Sequence, residues 1–103
     1  IIRLTMPQLQ AGYLPTLKMR RYVRTRVRHC RFPGCRRPAR NCDLDHIVPW
    51  PQGMTDVANL QALCRYHHRI KTHSGWRVER GPDNTTIWIS PRGKRYTSRP
   101  DDP

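Results

Sequence analysis

Cys42-Asp43-Leu44-Asp45-His46-Ile47-Val48-Pro49 opens a stretch that closes with Asn59-Leu60-Gln61-Ala62-Leu63-Cys64-Arg65-Tyr66-His67-His68-Arg69-Ile70-Lys71-Thr72. Asp43-Leu44-Asp45-His46 alternates in the manner of a strand, placed from Asn41 to Val48. Pro49, Pro51 and Gly53 mark a loop that runs to about Ala58. A second short strand is expected from Asn59 to Leu63, and a helix from Arg65 to Thr72. Strand, loop, strand and helix within so few residues point to a small α+β unit.

Upstream, Cys30 and Cys35 flank a turn containing Pro33-Gly34, and Cys64-Arg65-Tyr66-His67 supplies a second pair of ligands at a helix start. A structural zinc takes four sulfur or nitrogen ligands in tetrahedral array, commonly from two such half-sites. Cys30, Cys35, Cys64 and His67 meet that count. Two disulfides, or free core cysteines, are the alternatives. Cys42 reads as a small core hydrophobe, although it could replace His67 as the fourth ligand. A bound metal would also supply stability that a small core lacks: the chain has 103 residues, 36% of them hydrophobic, with 10 prolines and 6 glycines.

Further out, residues 1–15 read as an arm or linker. A helix is expected from Thr16, with Met19, Tyr22, Val23 and Val27 on one face; its basic remainder is either a solvated surface or a phosphate-tracking one. Residues 29–40 form a turn-rich basic knuckle. Beyond the central unit, Trp76–Arg80 and Thr85–Ser90 are expected to pair as a hairpin around Gly81-Pro82-Asp83-Asn84. The divisions are therefore an arm (1–15), a domain (16–90, core 28–76) and a basic flexible tail (91–103).

Charge narrows the partner. Lysine and arginine number 20 against seven acids, a formal net charge of +13, and eleven of those cations precede the first acid, Asp43. Such a field steers polyanions toward the protein. No apolar run approaches a membrane span, and no secretory signal is visible. An intracellular, cytoplasmic setting with reduced thiols is the expectation. The chain begins Ile1-Ile2-Arg3 without a methionine and reads as an excised C-terminal domain.

Asp45-His46 places a carboxylate beside an imidazole, the usual general base. By alternation the two point to opposite faces unless the backbone bends. His68 directly follows His67, and neighbouring helix positions lie about 100° apart, so one imidazole can face a zinc while the other faces a second site. Carboxylate plus imidazole makes an acceptable open site for a divalent ion. With Asn59, these residues cluster around one zinc framework.

At this point the chain resembles the HNH endonucleases, whose fold is the ββα-metal unit. The resemblance rests on Asp45-His46-Ile47-Val48-Pro49, Gly53, Asn59 through Cys64, and His67-His68-Arg69-Ile70-Lys71-Thr72. The chain is especially similar to the zinc-bearing HNH domain found at the C-terminus of many large actinobacterial proteins. The shared strings are Cys-Arg-Phe-Pro-Gly-Cys at 30–35, Cys-Asp-Leu-Asp-His at 42–46 and Gly75-Trp76. The resemblance implies a ββα-metal domain with a structural zinc knuckle, preceded by a basic helix and followed by a hairpin. It implies His46 as the general base that activates water and Asn59 as the residue holding the loop that orients it. Asp45 and His68 become ligands of a catalytic divalent ion (Mg²⁺, Mn²⁺ or Ni²⁺), and Cys30, Cys35, Cys64 and His67 ligands of Zn²⁺. The implied reaction is phosphodiester hydrolysis in DNA, held mainly through its backbone and in duplex form. Arg65, Arg69 and Lys71 are candidates for phosphate contacts or, alternatively, a solvated helix face. Two rivals remain: a zinc-stabilised DNA-binding module without cleavage activity, and a zinc-based protein-interaction module.

Overall fold

The computed structural model describes residues 9–10 and 12–100. A two-residue strand, β1 (Leu9–Gln10), leads to helix α1 (Leu17–Thr25). After the basic knuckle, a 3₁₀ turn (Ala39–Asn41) enters β2 (Asp43–His46). A loop leads to β3 (Thr55–Asp56), a second 3₁₀ turn (Val57–Asn59), β4 (Leu60–Leu63) and helix α2 (Arg65–His73). The chain then continues through β5 (Arg77–Arg80), a third 3₁₀ turn (Pro82–Asn84), β6 (Thr86–Ile89) and β7 (Arg95–Ser98).

The centre is the ββα unit. β2 and β4 pair antiparallel, with Asp45 opposite Gln61 and His46 opposite Leu60. β4 is buried along its whole length, because α1 and α2 both pack against it. Both strands are shorter than expected. Asn41 turns in a 3₁₀ helix instead of extending, and Asn59 closes another. α2 runs one residue beyond its expected end.

α1 starts where Thr16 caps it, the Thr16 hydroxyl accepting a bond from the Met19 N–H at 3.1 Å. Met19 and Val23, one turn apart, bury with Val57 and Leu60 in a small core, while Tyr22 packs at its edge. Arg24, from the basic face, donates twice to the Cys42 carbonyl, at 2.8 and 3.2 Å. That bond orients the helix across the entry to β2. Val27 lies beyond the end of α1 and packs against the second core.

The second core gathers Cys30, Ala39, Cys42, Ile47, Leu63 and Trp88 beneath the knuckle. The expected hairpin is present, with Val78 opposite Trp88, but it is two strands of three. β7 pairs with the other edge of β6, Tyr96 opposite Trp88. Part of the expected basic tail is therefore sheet. A tight turn makes this possible: Gly93 sits at φ 90°, where a glycine pays no steric penalty, and its N–H bonds to the Ser90 carbonyl at 2.8 Å. Arg31, buried in the knuckle, donates to the Asn84 and Ser98 carbonyls at 2.8 and 3.1 Å, tying the knuckle to this sheet. The expected arm lies mostly outside the described residues; its β1 segment pairs with β3. Among the described residues no helix is long and apolar enough to cross a membrane.

Candidate active site

Two clusters meet at the start of α2. The first is the knuckle. Cys35 closes a turn on the Phe32 carbonyl (N–H to O 3.0 Å), with Gly34 left-handed at φ 83°. The Cys30 N–H reaches the Arg37 carbonyl at 2.9 Å, and Arg31 N–H bonds the Ala62 carbonyl of β4. This brings Cys30 and Cys35 over the N-terminus of α2, where Cys64 is the capping residue and His67 lies on the first turn. Ligand atoms of Cys30, Cys35, Cys64 and His67 all lie within 4.8 Å of one another. Cys35 Sγ is 4.0 Å from Cys64 Sγ. His67 Nδ1 is 3.3 Å from Cys64 Sγ and 3.7 Å from Cys30 Sγ.

Tetrahedral zinc demands edges of about 3.8 Å between sulfurs and about 3.6 Å between sulfur and nitrogen. The donor set fits zinc in identity and in spacing. Phe32 lies flat on His67, centroids 4.1 Å apart and planes 4° apart, and keeps Nδ1 turned inward. Cys42 stands outside this group, buried, with its thiol against the Pro38 carbonyl at 3.4 Å. Without a cation, Cys30 and Cys35 favour the neutral thiol. A hydrogen bond with Cys42, then burial, pushes the Cys30 thiol up, and burial raises Cys35 to about 11. Zinc reverses this by holding thiolates, so its uptake releases protons.

The second cluster lies on the other side of α2. Asp43 and Asp45, on one face of β2, meet His68. Its Nδ1 is 3.2 Å from Asp43 Oδ2 and its Nε2 is 3.4 Å from Asp45 Oδ1. Arg65 grips Asp43 with Nε at 2.8 Å and Nη2 at 3.3 Å. Asp45 is buried and receives Gln61 Nε2 at 2.9 Å and Lys71 Nζ at 3.0 Å. Lys71 Nζ also donates to the His46 carbonyl at 2.9 Å.

These contacts set the charges. Burial works against ionisation of Asp45, but bonds from His68 and Gln61 and the Lys71 charge outweigh it and hold the carboxyl below the usual range. The Arg65 hydrogen bond, with help from His68, does the same for Asp43. His68 is raised, chiefly by its bond to Asp45 and also by Asp43. His46 is lowered by burial, against the pull of Asp45.

Strand alternation does separate Asp45 from His46. Asp45 finds its partners on α2 and β4, whereas His46 Nε2 contacts Thr55 Oγ1 at 2.8 Å and its ring stacks on Tyr13, centroids 5.2 Å apart. His46 is the last residue of β2, so both still border one cleft of about 560 Å³, with His68, Lys71, Trp50 and Trp76 among its walls. Asn59 governs the loop beside it. Asn59 Oδ1 accepts from the Val48 N–H at 2.9 Å, and Nδ2 donates to the Val48 and Met54 carbonyls at 3.0 Å. Gly53 makes this possible, because a Cβ there would lie 2.2 Å from the Val48 carbonyl oxygen and 2.6 Å from Asn59 Nδ2.

The nucleic-acid candidates divide. Arg65 and Arg69 face solvent, Arg65 with its side chain 66% exposed despite its bond to Asp43. Lys71, expected as a phosphate contact, turns inward instead: its side chain is 11% exposed and its charge is committed to Asp45. Three further polar residues contribute that the motifs do not mark: Asp43, Gln61 and Thr55. Asp43 shares the strand face of Asp45, and Gln61 is the cross-strand partner of Asp45. Pattern alone could have flagged those two. Nothing local marks Thr55.

Comparison with known proteins agrees with this geometry. A family model described as HNH endonuclease matches residues 28–74. Among curated relatives, the uncharacterized protein Rv3776 of Mycobacterium tuberculosis is 49% identical over 90 residues, covering 86% of this chain and 17% of its own length. The uncharacterized protein Rv2100 of the same organism is 49% identical over 89 residues, covering 85% and 16%. The uncharacterized protein Mb1179c of Mycobacterium bovis is 31% identical over 65 residues, covering 62% and 14%. The chain thus spans a small fraction of the length of the curated relatives it matches. No solved structure matches it. From 28 to 74, with the ββα unit and the knuckle at its centre, the chain matches the HNH endonuclease family.

Proposed function

We propose that the domain is a metal-dependent endonuclease that hydrolyses phosphodiester bonds in DNA. The observation that carries this reading is the pairing of Asp45 Oδ1 with His68 Nε2 at 3.4 Å in the cleft that also holds His46. Two ligands sharing a small divalent ion at about 2.1 Å each stand about 3.0–3.4 Å apart when adjacent in its shell, so the pair fits such an ion. Bound there, a divalent cation would stabilise the charge that develops on the scissile phosphate and the leaving oxygen.

The rest falls to side chains. His46, kept neutral near physiological pH by its burial, takes a proton from water as the water oxygen bonds to phosphorus and the bond to the 3′ oxygen breaks. Asn59 holds the 48–54 loop against β2 and so keeps His46 in place. Asp43 fixes the ring of His68 by accepting from Nδ1, the role of a carboxylate behind a metal-binding imidazole. Lys71 and Gln61 hold the Asp45 carboxylate in position. The Cys30, Cys35, Cys64 and His67 cluster takes structural zinc, and the net charge of +13 draws the nucleic acid through its backbone, with Arg65 and Arg69 exposed on α2.

The test is cleavage of supercoiled plasmid in Mg²⁺, Mn²⁺ or Ni²⁺ by the wild type and by His46→Ala. Metal-dependent cutting by the wild type, reduced about 10²–10⁴-fold in the variant, is expected. Plasmid that is bound but uncut by both would sink the nuclease reading in favour of a zinc-stabilised DNA-binding module.

A further inference from the structure

A histidine base has two nitrogens, and only the one without a proton can act. We propose that Thr55 is a positioning residue that makes Nδ1 of His46 the working atom by keeping the proton on Nε2. The inference rests on the reading of His46 as the base and assigns the atom.

The argument is a count of protons. Thr55 Oγ1 has two neighbours, the Tyr13 carbonyl oxygen at 3.1 Å and His46 Nε2 at 2.8 Å. A hydroxyl carries one proton. The carbonyl can only accept, so the hydroxyl proton goes to Tyr13. Oγ1 is then the acceptor toward His46, and Nε2 must be the donor. Thr55 is 0% exposed, which leaves no room for bulk water to rearrange these roles. A neutral imidazole has one N–H; with it held on Nε2, the lone pair lies on Nδ1.

Two features hold the ring in that orientation. Tyr13 covers one face of the imidazole, with planes 23° apart. The Thr55 hydroxyl is fixed by a backbone carbonyl rather than by a mobile side chain. During reaction the proton leaving water bonds to Nδ1 while Nε2–H stays on Oγ1, so the imidazolium that forms remains hydrogen-bonded to the threonine. When the proton leaves Nδ1 the same tautomer is restored. The N–H therefore never has to migrate between nitrogens.

The test uses the zinc-loaded protein, with Thr55→Val, Thr55→Ser and His46→Ala beside the wild type. ¹⁵N and ¹³C spectra of the His46 ring report the tautomer directly, and single-turnover plasmid cleavage reports the rate. The wild type should show the Nε2–H form. Thr55→Val should lose that preference and cut about 10–10³-fold more slowly, below the roughly 10⁴-fold effect known where a histidine base is left in the wrong tautomer. Zinc content and DNA affinity should not change. Thr55→Ser keeps the hydroxyl and should cut within a few-fold of wild type. An Nδ1–H form in the wild type overturns the proposal, and that reading stands even if the valine variant fails to fold. So does wild-type cutting by Thr55→Val while His46→Ala is inactive. Wild-type cutting by His46→Ala overturns the base assignment itself, and the proposal with it.

Discussion

His67 and His68 are neighbours in sequence and opposites in setting. His67 turns toward three thiols under a stacked phenylalanine, and burial lowers its pKa. His68 turns toward two carboxylates at the edge of an open cleft, and they raise its pKa. The first turn of α2 thus separates two kinds of chemistry. Sulfur ligands in a closed shell select a soft, four-coordinate ion that stays. Oxygen and imidazole with positions left open suit an ion that must still take water and phosphate. One helix can serve both because consecutive residues diverge by about 100°. Its placement is also shared, so disturbance of the knuckle must reach the cleft, whereas disturbance of the cleft need not reach the knuckle.

That asymmetry can be broken most severely from the knuckle side. Cys64→Ala removes a ligand that stands immediately before the first turn of α2, where the knuckle meets the helix. Apparent zinc affinities of about 10–16 kcal/mol in small zinc domains are folding energy, so the variant should lose zinc, its cooperative melt and all cleavage together. Retained zinc with a normal melt would contradict the ligand set.

Gly53→Ala strikes the cleft alone. The new Cβ would be driven into the Val48 carbonyl and the Asn59 amide. The loop must shift, and a displacement of about 1 Å at a catalytic centre can cost about 10²-fold in rate. Zinc content should be unchanged. A variant that cuts normally would show that the loop does not position His46.

Asp43→Ala is gentler, since it leaves both proposed ligands of the catalytic ion in place. Titration of Mn²⁺ into the zinc-loaded protein should show affinity about 10–100-fold weaker. Unchanged affinity would reduce Asp43 to a surface partner of Arg65.

The smallest effect is that of pH on the zinc-loaded domain without added divalent ion. The folded pKa of His68 lies above its ordinary 6.5. Its contribution to stability is complete below 6.5 and is lost as pH rises through the folded value. Asp43 and Asp45 lie below their ordinary 3.8, so their contribution is complete above 3.8 and is lost as pH falls through the folded values. All three act together between 3.8 and 6.5. The stability that His68 adds over His68→Ala should decline shallowly as pH rises from 6, by about 1 kcal/mol for an imidazole still partly open to solvent. Adding Mn²⁺ should oppose the decline, because the ion needs the nitrogen that the proton leaves.

Much of this was legible in the sequence because it is local. The spacing of Cys30 to Cys35 and of Cys64 to His67 fixes two half-sites by backbone geometry alone. The Asp45-His46 step and the His67-His68 step carry their opposite orientations in the periods of strand and helix. What escaped depends on distant contacts. Lys71 reads as a surface cation until β2 supplies Asp45 and the His46 carbonyl beside it. Thr55 reads as one loop residue among several until Tyr13 arrives from far along the chain. Arg95-Tyr96-Thr97-Ser98 has no apolar alternation to announce a strand; it forms because β6 offers an open edge and Gly93 allows the chain to return.

The sheet at the C-terminal end bears on how this domain can be divided. Trp88, wholly buried in β6, packs edge-on to Phe32 at 5.0 Å, and Phe32 in turn lies on His67. A cut after Ser74 would spare all four thiol and imidazole ligands and both aspartates that meet His68, yet remove the wall behind the ring that aims His67. The smallest piece that behaves as the domain therefore extends past the 28–74 segment that carries the family signature, through β7. A shorter fragment would keep all four zinc ligands and still bind zinc poorly.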